Sequence, residues 1–345
     1  MRIGLFDEGP NLKLPNLAVL KLASYWRSQG ATVHHNSARG RFDVAYLSIV
    51  FSRNALSMLA LPDAVRADEW HVGGIGSGIF KRLPAEVERC RPDYSLAPGF
   101  PWSLGFTVRG CIRRCPWCLV WRAEGNDMWQ EATYGALLRP DHGARPHIVD
   151  MANNILDWSE RGKLFREMLE LHRETGLAVD INQGLDHRFI DRATAHEIAR
   201  LPLRAMRRTR IGGWRGRRAI RLALDHSSEI ESFRRAARYL VDAGVPPAVL
   251  RVYALERPGE EADALARVRE VLAVTEGTRG RTAQPFVMPL DGYRDNGLAR
   301  WVNRGIYRWI PWEKYSRRRQ QPLPLLAWGG RWWMTISERR AGPVK

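Results

Sequence analysis

The sequence predicts an α/β protein in three parts. These are a small parallel α/β unit over residues 1–95, a partial (β/α)6 barrel of TIM type over 96–290, and a basic, tryptophan-rich extension over 291–345. Two observations give the first two parts. Short apolar runs alternate with helix-period stretches, the pattern of parallel strands joined by crossover helices. Six such runs fall in the second stretch, too few for a closed eight-stranded barrel. The third observation is a shift in composition, because the last 55 residues hold 12 Lys/Arg against 4 Asp/Glu and show no period.

In the first unit, Arg2–Asp7 is a short apolar strand ending in a Gly9-Pro10 turn. Leu14, Leu17, Leu20, Leu22 and Trp26 follow at helical spacing, and Gly30 stops the helix. Ala31–Val33 and Val44–Val50 are the next strands, Gly73–Gly78 a loop, and Leu83–Glu88 a short helix. The barrel strands are Ser103–Val108, His147–Met151, Ala178–Asn182, Ala219–Leu224, Leu250–Leu255 and Ala283–Met288. Helices Arg161–Thr175, Ile190–Leu201, Ser228–Ala243 and Glu260–Ala273 separate them. Functional residues of such a barrel are expected just after each strand.

A chain 45% hydrophobic and 26% charged has material for a core, which excludes global disorder. No apolar run approaches the roughly 18 residues of a membrane span, and the N-terminus does not read as a signal peptide. Four cysteines, three within eight residues, are not a disulfide framework, so a reducing cytoplasm is expected. The net charge is +17, and the stretch from Arg200 to Arg221 holds nine arginines and no acid. Such a field attracts polyanions. Coding bias is the competing explanation, since only six of the 54 basic residues are Lys; bias alone does not remove acids.

The strongest motif is Gly110-Cys111-Ile112-Arg113-Arg114-Cys115-Pro116-Trp117-Cys118. Three thiolates can hold three corners of a cubane iron–sulfur cluster and leave one iron open. Zinc would want a fourth protein ligand. Cys90 and His142 lie within range in sequence, but no second paired motif accompanies them. Cys90 alone reads as an inert small hydrophobe.

C-x3-C-x2-C with an aromatic before the last Cys, at the end of the first barrel strand, resembles the radical S-adenosylmethionine (SAM) superfamily. The resemblance implies a [4Fe-4S] cluster on Cys111, Cys115 and Cys118, with SAM chelating the open iron and Trp117 near its adenine. It implies reductive cleavage of SAM to a 5′-deoxyadenosyl radical that abstracts a substrate hydrogen. It also implies an electron donor of flavodoxin or ferredoxin type. Asn153 and Asn154, after the second strand, stand where the family holds the SAM amino group, although the family's Gly-Gly-Glu is missing. Asn182 and Gln183 end the third strand and are further SAM candidates. Asp186 and Arg188 are candidates for the SAM carboxylate or the substrate, and Asp225 is a candidate catalytic group. The competing role of Asp225 and Ser227 is capping the helix from Ser228.

Gly105–Cys111, Asn153-Asn154, Asn182–Asp186 and Ala299–Asn303 are similar to a group of radical SAM proteins of bacteria and phages. The first unit resembles the Rossmann-like, cobalamin-binding domain that precedes many such barrels. Asp7-Glu8-Gly9-Pro10 has no His to ligate the cobalt, so bound cobalamin is not expected.

Arg204, Arg207, Arg208 and Arg210, with Arg317, Arg318 and Arg319, are candidate phosphate contacts for a nucleic acid or nucleotide substrate. Trp301, Trp309, Trp312, Trp328, Trp332 and Trp333 could stack bases or pack the tail onto the barrel. A small-molecule or peptide substrate, or a non-catalytic metal-stabilised nucleic-acid-binding protein, are the alternatives.

Overall fold

The structure, a computed structural model, describes residues 1–9, 12–208, 214–274, 282–290 and 297–320. Its first sheet is fully parallel, with β1 (Arg2–Phe6), β2 (Thr32–His35), β3 (Arg41–Ser48) and β4 (Arg66–Gly73) in the order β2-β1-β3-β4. Helix Leu17–Ser28 crosses from β1 to β2. It begins three residues later than its apolar period, because the Asn16 side chain accepts the Val19 N–H (3.4 Å) and caps it there. Val19, Leu22 and Ala23 then pack on Ile3, Leu5 and Val44. The sequence reading missed β4, an edge strand with no fully buried residue and so no apolar signal.

Two three-stranded parallel sheets follow. One contains β5 (Ser103–Gly105), β8 (His147–Asp150) and β9 (Ala178–Ile181); the other β12 (Ile220–Ala223), β13 (Leu250–Glu256) and β14 (Gln284–Pro289). The parallel bridge Leu185↔Leu222 joins the end of β9 to β12. Helices Arg161–Thr175, Arg192–Arg200, Ile230–Asp242 and Glu261–Ala273 separate the strands at the predicted places. They bury Phe165, Met168, Ile198, Phe233 and Leu240 against Ile148, Val179 and Leu222.

The predicted strand Ser103–Val108 breaks in two. Thr107 turns inward, donating its N–H (3.1 Å) and hydroxyl (2.6 Å) to the buried Asp150. Val108 and Arg109 form β6, which pairs antiparallel with β7 (Trp129–Gln130).

The arginine block holds two strands that the sequence reading does not include. It is a hairpin, β10 (Arg204–Arg208) paired antiparallel with β11 (Trp214–Arg218), inserted between β9 and β12. In the tail, helices Gly297–Asn303 and Trp312–Gln320 bury Trp301 and Trp312 against Val268 and Val287, whereas Trp309 is exposed. Packing on β14 and the helix Glu261–Ala273 is therefore the role of those two tryptophans. Trp328, Trp332 and Trp333 lie outside the described residues. No described helix is long and apolar enough to cross a membrane.

Candidate active site

The cysteine loop leaves β6 through Gly110. A left-handed φ of +78° and the Asp127 carbonyl, 2.1 Å from where a Cβ would sit, require glycine there. Backbone and side chains then fix the loop. Cys118 N–H donates to the Cys115 carbonyl (3.0 Å), Trp121 Nε1 to the same oxygen (3.1 Å) and Asn126 Nδ2 to the Cys111 carbonyl (3.0 Å). All three thiols are free and half-buried. Burial pushes the Cys115 and Cys118 thiols above their usual pKa, against the lowering pull of Arg188 on Cys115 and the Val120 N–H on Cys118.

Three strand ends meet this loop. After β8, Asn154 is buried and its amide donates to the Cys111 sulfur at 3.7 Å; its Oδ1 has no partner among the described residues. Neighbouring Asn153 donates to Glu124. After β9, Arg188 donates to both Asp186 oxygens (2.7 and 2.8 Å) and to Glu229 (2.5 Å), and its guanidinium reaches the Cys115 thiol. Burial alone would raise the Asp186 pKa, but its bonds to Arg188 outweigh that and hold it low. After β12, Asp225 feels Cys118. Burial, reinforced by Glu229, raises its pKa to about 6 against the pull of Arg267. Asp225 caps no helix: its carboxylate accepts the Leu255 N–H (3.2 Å), and His226 instead accepts the Ser228 N–H (3.2 Å). Ser227 donates to Asp263. Trp117 stacks on His226 (6.4 Å between centroids, 3° between planes) under the Arg257 guanidinium (5.0 Å).

Two of the predicted residues stand apart from the loop. Asn182 donates to the Met151 sulfur (3.5 Å), and Gln183 is exposed. Arg204 lies on β10, at the far end of the strands. Arg210 lies outside the described residues, as do the side chains of Arg207, Arg208, Arg317, Arg318 and Arg319.

Sequence reasoning missed Glu124, Arg113 and Glu229. Glu124 accepts from Arg109 (2.9 Å), the Gly110 N–H (3.1 Å) and Asn153, tying the cysteine loop to the end of β8. Arg113 faces Asp186 at 3.5 Å. Only Arg113 carried a signal, being inside the motif.

Three free thiols on one loop are the donor type an iron–sulfur cluster takes. Among the described residues no three His, Cys, Asp or Glu side chains are placed to hold a single metal ion.

No protein-family model matches the sequence, and no curated protein does. Among the solved structures similar to this chain are two of the cobalamin-dependent S-adenosylmethionine radical enzyme OxsB. One has aqua-cobalamin and S-adenosylmethionine bound, the other aqua-cobalamin. Each superposes with a TM-score of 0.52 at 14% identity, covering 92% of this chain. The chain spans only 56% of the length of that enzyme. It therefore shares the fold of the matched part of that enzyme.

Proposed function

We propose that this chain is a radical SAM enzyme in which Cys111, Cys115 and Cys118 hold a [4Fe-4S] cluster and its open iron takes SAM. The observation that carries the reading is the meeting of three strand ends on three thiols: Asn154 on Cys111, Arg188 on Cys115 and Asp225 beside Cys118. The bridge Leu185↔Leu222 supports reading the two sheets as one six-stranded partial barrel with these residues at its mouth. When bound, the pair supplies reductive cleavage of SAM and hydrogen abstraction, with the electron coming from a flavodoxin- or ferredoxin-like donor.

The chain's own residues hold and orient. The free Oδ1 of Asn154 is an acceptor for an ammonium group, and Glu124 fixes Asn153 beside it. Arg188, pinned by Asp186 and Glu229, can present its guanidinium to a carboxylate. Trp117 offers a ring face at the β12 end for a base. Asp225, raised toward neutrality, can hold or release a proton near the thiols.

Cobalamin is a second reading, favoured by one feature. Val50, Phe51, Ile75, Ile79 and Phe80 expose an apolar rim where the loops after β3 and β4 pack backbone on backbone. A flat macrocycle could lie on this rim. The loop after β1 carries no histidine of its own, and the imidazole beside it is that of His35, bonded to Asp7 (3.2 Å).

Anaerobic reconstitution tests the proposal. The expected result is the iron and sulfide content of one cubane, and 5′-deoxyadenosine formed from SAM and dithionite. A colourless protein carrying zinc, or a fully loaded one that leaves SAM intact, would overturn it. Adding aqua-cobalamin and following co-elution tests the second reading.

A further inference from the structure

Residues 204–218 carry seven arginines and no acid. The hairpin they form pairs Arg204 directly with Arg218 and Arg207 with Arg215. Like charges facing one another across an antiparallel pair destabilise it, and a face selected only for solubility would interleave the two signs. Arg204, Arg215, Arg217 and Arg218 are exposed, and none pairs with a carboxylate among the described residues. The single described side-chain bond in this set is from Arg218 to the Ala199 carbonyl (3.1 Å).

The base of the hairpin is firmly seated. Ala205 is buried, the Met206 N–H donates to the buried Asp180 (2.8 Å), and Gly216 lies against His147, the first residue of β8. The base of the two-stranded ribbon thus sits beside His147, at the N-terminal end of β8 and away from the strand ends that meet the cysteine loop. An acidic electron donor docked there would be at the wrong end for the thiols. An anionic membrane would want apolar residues to insert between the charges; of the described apolar side chains here, Ala205 is buried and half-buried Met206 packs inward with Val149 and Leu104. A two-stranded antiparallel ribbon does match the major groove of B-form DNA, with arginines on the flanking phosphates.

We propose that the β10–β11 ribbon binds duplex DNA, holding it by the backbone at a surface remote from the thiol loop. This goes beyond the radical SAM reading, and its test needs neither cluster nor SAM.

Binding of a fluorescein-labelled 20-base-pair DNA would be followed by anisotropy from 50 to 300 mM salt. Two fourfold variants are compared, Arg→Gln and Arg→Lys at 204, 215, 217 and 218. A control carries Arg→Gln at the exposed Arg39, Arg173, Arg235 and Arg238. Each lost phosphate contact should lower the log–log salt slope by about 0.9, so the Gln ribbon variant should lose about three to four units. The Lys variant and the control should keep the parental slope. Because like-charge pairs are removed, the Gln variant should melt no lower than the parent, which separates lost binding from lost fold. An unchanged slope in the folded Gln variant would overturn the proposal. So would an equal loss in the control, or tighter ribbon-dependent binding to phosphatidylserine vesicles than to DNA.

Discussion

Arg221, the second residue of β12, reaches across to Asp180 in β9, and the pair is buried where the two parallel sheets adjoin. Asp180 also accepts the Met206 N–H, and the Arg221 carbonyl accepts the Leu185 N–H (2.8 Å). One ion pair therefore ties together both sheets, the ribbon and the loop that leads to Asp186.

Removing one partner leaves a buried charge alone. Arg221→Met or Asp180→Leu should each cost about 3–5 kcal/mol, whereas the double variant should cost much less than their sum. Urea melts of the three proteins measure this; additive losses would show that the pair is uncoupled.

Acid should unfold the protein through His147. Burial, with Arg204 and Arg221 nearby, depresses its pKa to about 4, and its ring stacks on Trp102 (4.6 Å). The folded state thus prefers the neutral ring. Its contribution is whole above pH 6.5 and drains away as pH falls to about 4, a change of about 3 kcal/mol. His147→Phe should flatten the melting temperature between those values, and a parental acid slope in that variant would discount this histidine.

Asp225 acts with the opposite sign. Burial raises its pKa from 3.8 to about 6, so ionisation opposes folding as pH climbs through that window and the penalty is constant above it. Asp225→Asn should therefore gain on the parent in thermal melts as pH rises from 4 to 7. A constant difference would mean that Asp225 does not titrate there.

Metal-free Cys115 and Cys118 are protonated at neutral pH, since burial holds both above the ordinary 9.0. Their alkylation by iodoacetamide should be slow below pH 9, and Arg188→Met should slow Cys115 further by removing its favourable cation. Cluster assembly should release protons. Mass spectrometry of alkylated peptides gives each rate; fast labelling at pH 7 would contradict the burial.

Much of the region 96–290 was legible because its strands are short, mostly apolar runs and its helices are periodic. Helix Arg161–Thr175 starts and stops as the pattern predicts, ending on Gly176 in a left-handed turn. The hairpin was not legible. Met206 and Ala205 are too few apolar residues among arginines to show a period of two, and the segment is held by Asp180 from another element. The thiols, Asn154, Arg188 and Asp225 could be named because each follows a recognisable strand. Glu124 could not, since its role depends on the fold bringing Asn153 and Arg109 to one carboxylate.

Leu20 of the first crossover helix packs with Tyr94, Phe100 and Trp102 on Leu104 of β5 and Val149 of β8. Lys21 in the same helix pairs with Glu88 (2.8 Å) and Glu131 (3.6 Å). During synthesis the N-terminal sheet leaves the ribosome with this greasy flank bare. It stays bare until more than fifty further residues, through Val149, have followed. A nascent chain truncated near residue 95 would be a client for chaperones rather than a finished module. A fragment starting at 96 would carry the same wound from the other side.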